Sequence, residues 1–251
     1  MGPAEGDDEL TAETGRSADQ RVPVPPWRKP RKAAPPKQPL SQEAILETAL
    51  RVLRAEGLDA VTMRRVAQEL GTGPASLYAH VSNKDELLEL MLDHIAAEIS
   101  VPEPDPARWQ EQIKEVAREA RRVWSAYADI SRVSLGNIPT GPNQLTIAEG
   151  QLAIMRAGGV PDQIAAWFVD RLGLFIDADA LEGSMYVSRL KEGWDAERYF
   201  GQIREYYISL PRERFPLIVS MTDTLMTGGD EERFEFGLDL MVRGLASYVT
   251  E

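Results

Sequence analysis

The chain has 251 residues, 43% of them hydrophobic and 27% charged, with a net charge of −12. That length allows one large domain or two modest ones, with a core that needs neither a metal nor a crosslink. There is no cysteine, and His80 and His94 are the only histidines. This excludes disulfides, thiolate metal sites, cysteine nucleophiles and multi-histidine centres, so no cofactor or metal is expected. No stretch approaches the roughly 20 apolar residues of a membrane span, and the N-terminus has no apolar export core, so a cytoplasmic protein without a membrane partner is expected.

Residues 1–40 hold eight of the 17 prolines and few large aliphatics, a texture that predicts a disordered tail. Its acidic residues come first. From Arg21 to Lys37 every charge is positive: Arg21, Arg28, Lys29, Arg31, Lys32 and Lys37. A solvated leader and an arm that tracks nucleic acid both fit such a segment. The texture changes at Ser41. Residues 41–100 form a second predicted domain, with five basic and ten acidic residues for a net of −5. Ser41 is suited to cap a helix over 42–56, with Ile45, Ala49, Val52 and Leu53 on one face and Gly57 at its end. Thr62 caps a short helix with Met63, Val66, Ala67 and Leu70 inward, and Gly71 stops it. Pro74 opens another short helix, and Ser82 with Asp85 forms a capping pair for a long helix over 83–100. Helix, short helix, glycine turn, short helix is the pattern of a helix-turn-helix.

The prolines of 101–106 predict a linker to a third region, 101–251. Helical periods then run over about 106–128, 129–136, 142–157, 161–190, 195–209, 211–226 and 230–250, broken by Gly and Pro. No alternating strand pattern longer than four residues occurs, so the expected fold class is all-α.

In a helix-turn-helix the second helix enters the major groove, where small residues permit close approach and polar tips read bases. The segment 71–81 fits. Gly73, Pro74 and Ala75 are small or compact, Leu77 anchors inward, and Thr72, Ser76, Tyr78 and His80 remain for DNA. Lys84 opens the next helix, where a phosphate gains from the helix dipole. Around these residues stands an ordered set: Ala49, Gly57-Leu58, Val61-Thr62-Met63-Arg64-Arg65-Val66-Ala67, Leu70-Gly71, Ser76-Leu77-Tyr78, His80-Val81 and Asn83-Lys84-Asp85-Glu86-Leu87-Leu88. From Ile45 to about Ile99 the chain resembles the N-terminal domain of the TetR family of bacterial transcriptional repressors. The ending from Phe234 onward is similar to the C-terminal helix of its tetracycline-repressor-like subgroup.

The resemblance implies a helix-turn-helix three-helix domain followed by a helical domain for effector binding and dimerisation. It assigns Tyr78 to the DNA backbone or a base edge, and His80 to a phosphate or base. Candidate DNA-binding residues are thus Thr62, Arg64, Thr72, Gly73, Pro74, Ala75, Ser76, Tyr78, His80 and Lys84. Other readings compete: Tyr78 as a core ring, His80 as an idle surface group, Thr62 as a cap alone, Arg64 and Arg65 as solvated charges. In the family, two late helices pair with their copies in a four-helix bundle, so 161–190 and 230–250 are the candidates here. The apolar stripe Phe234, Leu238, Met241, Val242, Leu245 and Val249, with Gly237 and Gly244 near it, is the expected homodimer interface, or else an ordinary core face. Aromatic residues concentrate after residue 100, and Trp124, Tyr127, Trp167, Phe168, Phe175, Met185 and Tyr186 are candidates to line a small-molecule pocket or simply to pack the core. No histidine follows His94, so ligand binding through a histidine-held metal chelate is not expected.

The leading functional reading is a non-enzymatic, ligand-responsive repressor that binds a palindromic double-stranded DNA operator as a homodimer and is released by a small-molecule effector. A regulator that binds small molecules or proteins through a weakened DNA head is the alternative, supported by the −5 charge of residues 41–100. An all-α enzyme finds no phosphate loop, metal spacing or nucleophile–base pair.

Overall fold

The computed structural model describes residues 40–127 and 129–249. The tail with its basic run 21–37 lies outside the described residues. Within them every regular element is helical. The reading head comprises α1 (Gln42–Glu56), a 3₁₀ turn (Leu58–Ala60), α2 (Met63–Glu69), α3 (Pro74–Leu77) and α4 (Lys84–Ala96). Ser41 Oγ accepts from the Ala44 N–H, and Thr62 Oγ1 accepts from that of Arg65, so both expected caps form. At the end of α2, Gly71 takes φ 62°, while its N–H donates to Gln68 O and that of Thr72 to Ala67 O. This left-handed turn closes the last carbonyls of α2 and swings the chain into α3.

The cap of α4 lies one residue later than expected. Asn83 Oδ1, not Ser82, accepts from the Glu86 N–H at 2.8 Å, and the Glu86 carboxylate accepts from the Ser82 N–H. Glutamate reaches back across the first turn where the shorter Asp85 falls short.

The C-terminal helices are α5 (Trp109–Ser125), α6 (Ser131–Ser134), α7 (Pro142–Ala157), α8 (Asp162–Lys191), α9 (Ala196–Ser209), α10 (Pro216–Ser220), α11 (Thr222–Leu225) and α12 (Asp230–Ala246). The single helix expected over 211–226 is two short pieces. Pro216 restarts the helix, and the Thr222 hydroxyl donates back to Ile218 O at 2.8 Å at the joint, a bond that competes with continued helix.

Helix α5 is the hub. Its Ile113, Val116, Ala117, Ala120 and Val123 are buried among residues of α7, α8 and α12. Its polar edge carries Lys114, Arg118 and Arg121, which pair in antiparallel order with Asp239, Glu235 and Glu231 of α12. Arg121 also pairs with Asp179 of α8 and Asp230, and its guanidinium lies 4.5 Å from the Phe234 ring centroid. The apolar stripe of α12 faces inward here. Phe234, Leu238, Val242 and Leu245 are buried, and Met241 and Val249 pack against the same core. Phe234 stacks on Phe175 at 5.2 Å, and a Cβ at Gly237 would come within 2.8 Å of Phe175. The glycine does serve close helix approach, but inside one chain. The six residues expected at a dimer interface are therefore spent on the core, because α5 and α8 already cover that side of α12.

One polar group is buried without a cation. Asp177 of α8, 5% exposed, has its carboxyl pushed up to about 6 by burial, which its hydrogen bond to Ser134 offsets only in part. An unfolded aspartate titrates near 3.9. A folded value above the unfolded one means that ionisation opposes folding. The penalty is absent below about pH 4, grows up to about pH 6 and is then complete, at about 3 kcal/mol. Asp177→Asn is expected to raise Tm at pH 8 and to flatten the decline in wild-type stability between pH 4 and 7. Thermal melts across that range check it, and parallel curves for the two proteins would contradict it.

Candidate nucleic-acid interface and effector cavity

The turn after α2 and the short α3 present a polar surface on a rigid base. Leu77 and Val81 are fully buried, which fixes the segment between them. Around this anchor Gly73, Pro74, Ala75, Ser76, Tyr78, His80 and Lys84 are exposed. Tyr78 is 53% exposed, so its ring is not part of the core. Thr72 Oγ1 donates to Ser76 Oγ at 3.2 Å, holding these two hydroxyls side by side. The His80 carbonyl accepts from Gln42 Nε2, tying the end of the turn to α1.

Arg64 and Arg65 separate clearly. Arg65 is clamped between Glu56 and Glu69, which hold its guanidinium firmly charged and draw the Glu56 carboxyl below its usual range. Arg64 is exposed and has no ion pair among the described residues, which leaves it available to a phosphate. Thr62 is half-buried with its oxygen engaged as a cap. Lys84→Ala is expected to weaken operator and unrelated DNA about equally and to flatten the log–log salt slope by about 0.9, since a phosphate contact carries no sequence information. Binding isotherms at several salt concentrations check it.

Four contacts fasten the head to the helices behind it. Asp93 of α4 accepts from the N–H groups of Asn143 and Gln144, both at 3.0 Å, and so caps α7 in place of its own N-cap Gly141. Asp59 pairs with Arg132 at 3.1 Å. Tyr127, at the end of α5, accepts from Arg54 Nη2 of α1 at 2.7 Å and donates to Glu98, just past α4.

Beside this junction opens a cavity of about 1450 Å³. Its floor is the reading head itself, from Arg54 to Asp59. Its walls are Arg121 and Ser125 of α5, residues from Asp179 to Lys191 on α8, and Tyr199, Phe200, Ile203 and Tyr207 of α9, with Leu225 to Arg233 closing one side. Of the seven expected lining residues, Tyr186 alone borders it. Trp124 and Tyr127 are buried on the core side of α5, Phe168 and Phe175 pack against the core, and Trp167 and Met185 are exposed. The picks followed ring content on α5 and α8 and missed α9, where aromatic residues line up on a helix that buries none of its side chains.

These features meet in comparisons with known proteins. The family model for the N-terminal domain of bacterial regulatory proteins of the tetR family matches residues 45–91, and that for the tetracyclin repressor-like C-terminal domain matches 101–249. The chain belongs to the TetR family. It is a transcriptional regulator and not an enzyme. The HTH-type transcriptional repressor DrrR1 of Streptomyces coeruleorubidus is 30% identical over 86% of this chain and 81% of its own length. Apo ActR of Streptomyces coelicolor is 42% identical, with a TM-score of 0.77 over 85% of this chain and 100% of its own. The same protein in complex with actinorhodin gives 43% and 0.78, over 85% and 98%. No helix among the described residues is long and apolar enough to cross a membrane.

Among TetR-family chains the head is defined by its motif, and here Tyr78 and its neighbours occupy it. What sequence reasoning did not supply is the head's share of the cavity. Arg54 and Asp59 read as ordinary exposed charges on and after α1; only the packing of α1 against α5 and α8 turns them into lining.

Proposed function

We propose that this TetR-family regulator is a cytoplasmic, ligand-responsive repressor that binds a palindromic operator as a homodimer. The observation that carries it is the shared cavity. Because its floor is the end of α1 and the following 3₁₀ turn, a bound molecule touches the reading head directly, and a ligand shifts a conformational equilibrium through such differential contacts. Release of DNA then follows from an effector that prefers the head displaced from its DNA-bound setting. The complexes of ActR with actinorhodin and with (S)-DNPA support small-molecule binding by a similar fold.

The homodimer reading rests on what the core leaves uncovered. Along α12, Phe236, Leu240, Gly244 and Tyr248 follow one another at four-residue spacing and all are exposed, Phe236 at 66%. Along α8, Trp167 (62% exposed), Leu174 and Met185 stand out of the same chain. Apolar stripes of this length on two late helices suit a four-helix contact between copies. Ligand response is tested by titrating the operator complex of the full chain with actinorhodin, following DNA by mobility shift and cavity occupancy by tryptophan quenching. Dissociation that tracks occupancy supports the reading. Saturated quenching with the DNA complex intact would contradict it.

A further inference from the structure

The charges lining the cavity are unequally satisfied. Glu56 is held by Arg65, Asp59 by Arg132, and both Asp179 and Asp230 by Arg121. Asp129 accepts from the Ser184 hydroxyl and lies 3.7 Å from Arg132. Among the described residues, the lining groups left without an ion pair are three cations, Arg54, Lys191 and Arg233, and one acid, Glu182. What meets an incoming molecule is therefore mostly unpaired donor.

Arg54 differs from the other two in being held in place. Its guanidinium lies 4.8 Å from the Tyr127 ring centroid, and Nη2 donates to the Tyr127 hydroxyl. A guanidinium carries more N–H donors than that bond uses, and its planar fork suits a carboxylate. Elsewhere the lining is aromatic. Tyr199 and Phe200 lie 5.6 Å apart edge to face, with Tyr186 6.4 Å from Phe200, a wall on which flat rings stack. The volume exceeds the roughly 300–1,000 Å³ of an ordinary small-molecule pocket, which leaves room for several fused rings.

We propose that the effector is a polycyclic aromatic acid whose rings lie on the Tyr199–Phe200 wall and whose anionic group pairs with Arg54. This rests on the reading of the cavity as the effector site. It also gives the acid a route to the head, because Arg54 belongs to α1 and shares Tyr127 with Glu98 beyond α4.

The test uses three probes with one ring system and different charge: anthracene-2-carboxylate, anthracene-2-carboxamide and anthracen-2-ylmethylammonium. Each is titrated into the full chain by fluorescence, with operator binding measured on the same preparations. The acid is expected to bind about tenfold tighter than the amide, and the ammonium weakest. In Arg54→Gln the acid should fall to the level of the amide while the amide is unchanged; in Tyr127→Phe the preference for acid should remain. The wild-type series decides the ligand class even if the Arg54 variant does not fold. Amide or ammonium binding as tightly as the acid, no saturable binding of any probe, or an intact acid preference in folded Arg54→Gln would overturn the proposal. If operator binding persists in those cases, only the ligand class fails. A wild-type chain that selects no operator would instead sink the repressor reading itself.

Discussion

Tyr78→Ala is expected to lower affinity for the operator by about a hundredfold while leaving the melting temperature and oligomeric state unchanged. The ring is half exposed, and Leu77 and Val81 on either side already supply the core contacts. Removing it therefore costs little in folding. A contact to a base edge or the adjoining backbone contributes about 1–3 kcal/mol, and a two-fold symmetric dimer makes it twice. Unrelated DNA should lose much less, which separates this variant from Lys84→Ala. Operator affinity equal to wild type in a mobility-shift titration would remove Tyr78 from the reading surface.

The second large effect concerns assembly, and two neighbouring leucines of α12 should behave differently. Leu238 is fully buried against α5 and α8, so Leu238→Arg puts an unpaired cation into the core at a cost of about 3–5 kcal/mol and should unfold the protein. Leu240 is on the opposite, exposed side. Leu240→Arg should leave the fold intact by circular dichroism and yield monomers by light scattering, because the two-fold axis brings each new cation against its copy. Loss of the dimer should also remove tight operator binding, since the half-sites are then bound independently. A Leu240→Arg protein that remains dimeric would place the interface elsewhere.

The contrast between those leucines shows where the sequence is readable. Caps and stops are local chemistry, so Ser41, Thr62, Gly71 and Pro74 can be placed from neighbouring residues alone. The reading turn is likewise compact: one buried leucine and a run of small and polar residues over ten positions. Helix faces in the C-terminal region are another matter. Periodicity identifies Phe234, Leu238, Val242 and Leu245 as one apolar stripe, but an apolar stripe does not say whether it meets its own chain or a second copy. The exposed set Phe236, Leu240 and Tyr248 is less regular in the sequence and becomes visible only when the other side is seen to be covered. The cavity is less legible still. Its charged groups come from segments more than a hundred residues apart, and the pairing that leaves Arg54 unmatched depends on Arg65, Arg121 and Arg132 being engaged elsewhere. Aromatic content points to a pocket without saying which rings face it. Trp124 and Tyr127 sit one turn from the lining and still belong to the core.

The most direct test of the account is selection of double-stranded DNA from a random pool by the full chain, followed by sequencing and by sizing of the complex. The account predicts enrichment of an inverted repeat with half-site centres about one helical turn, or a multiple of it, apart, bound with an even number of chains. It also predicts that Tyr78→Ala selects nothing from the same pool. Enrichment of an unrepeated site bound by a single chain, or of no sequence at all, would contradict it.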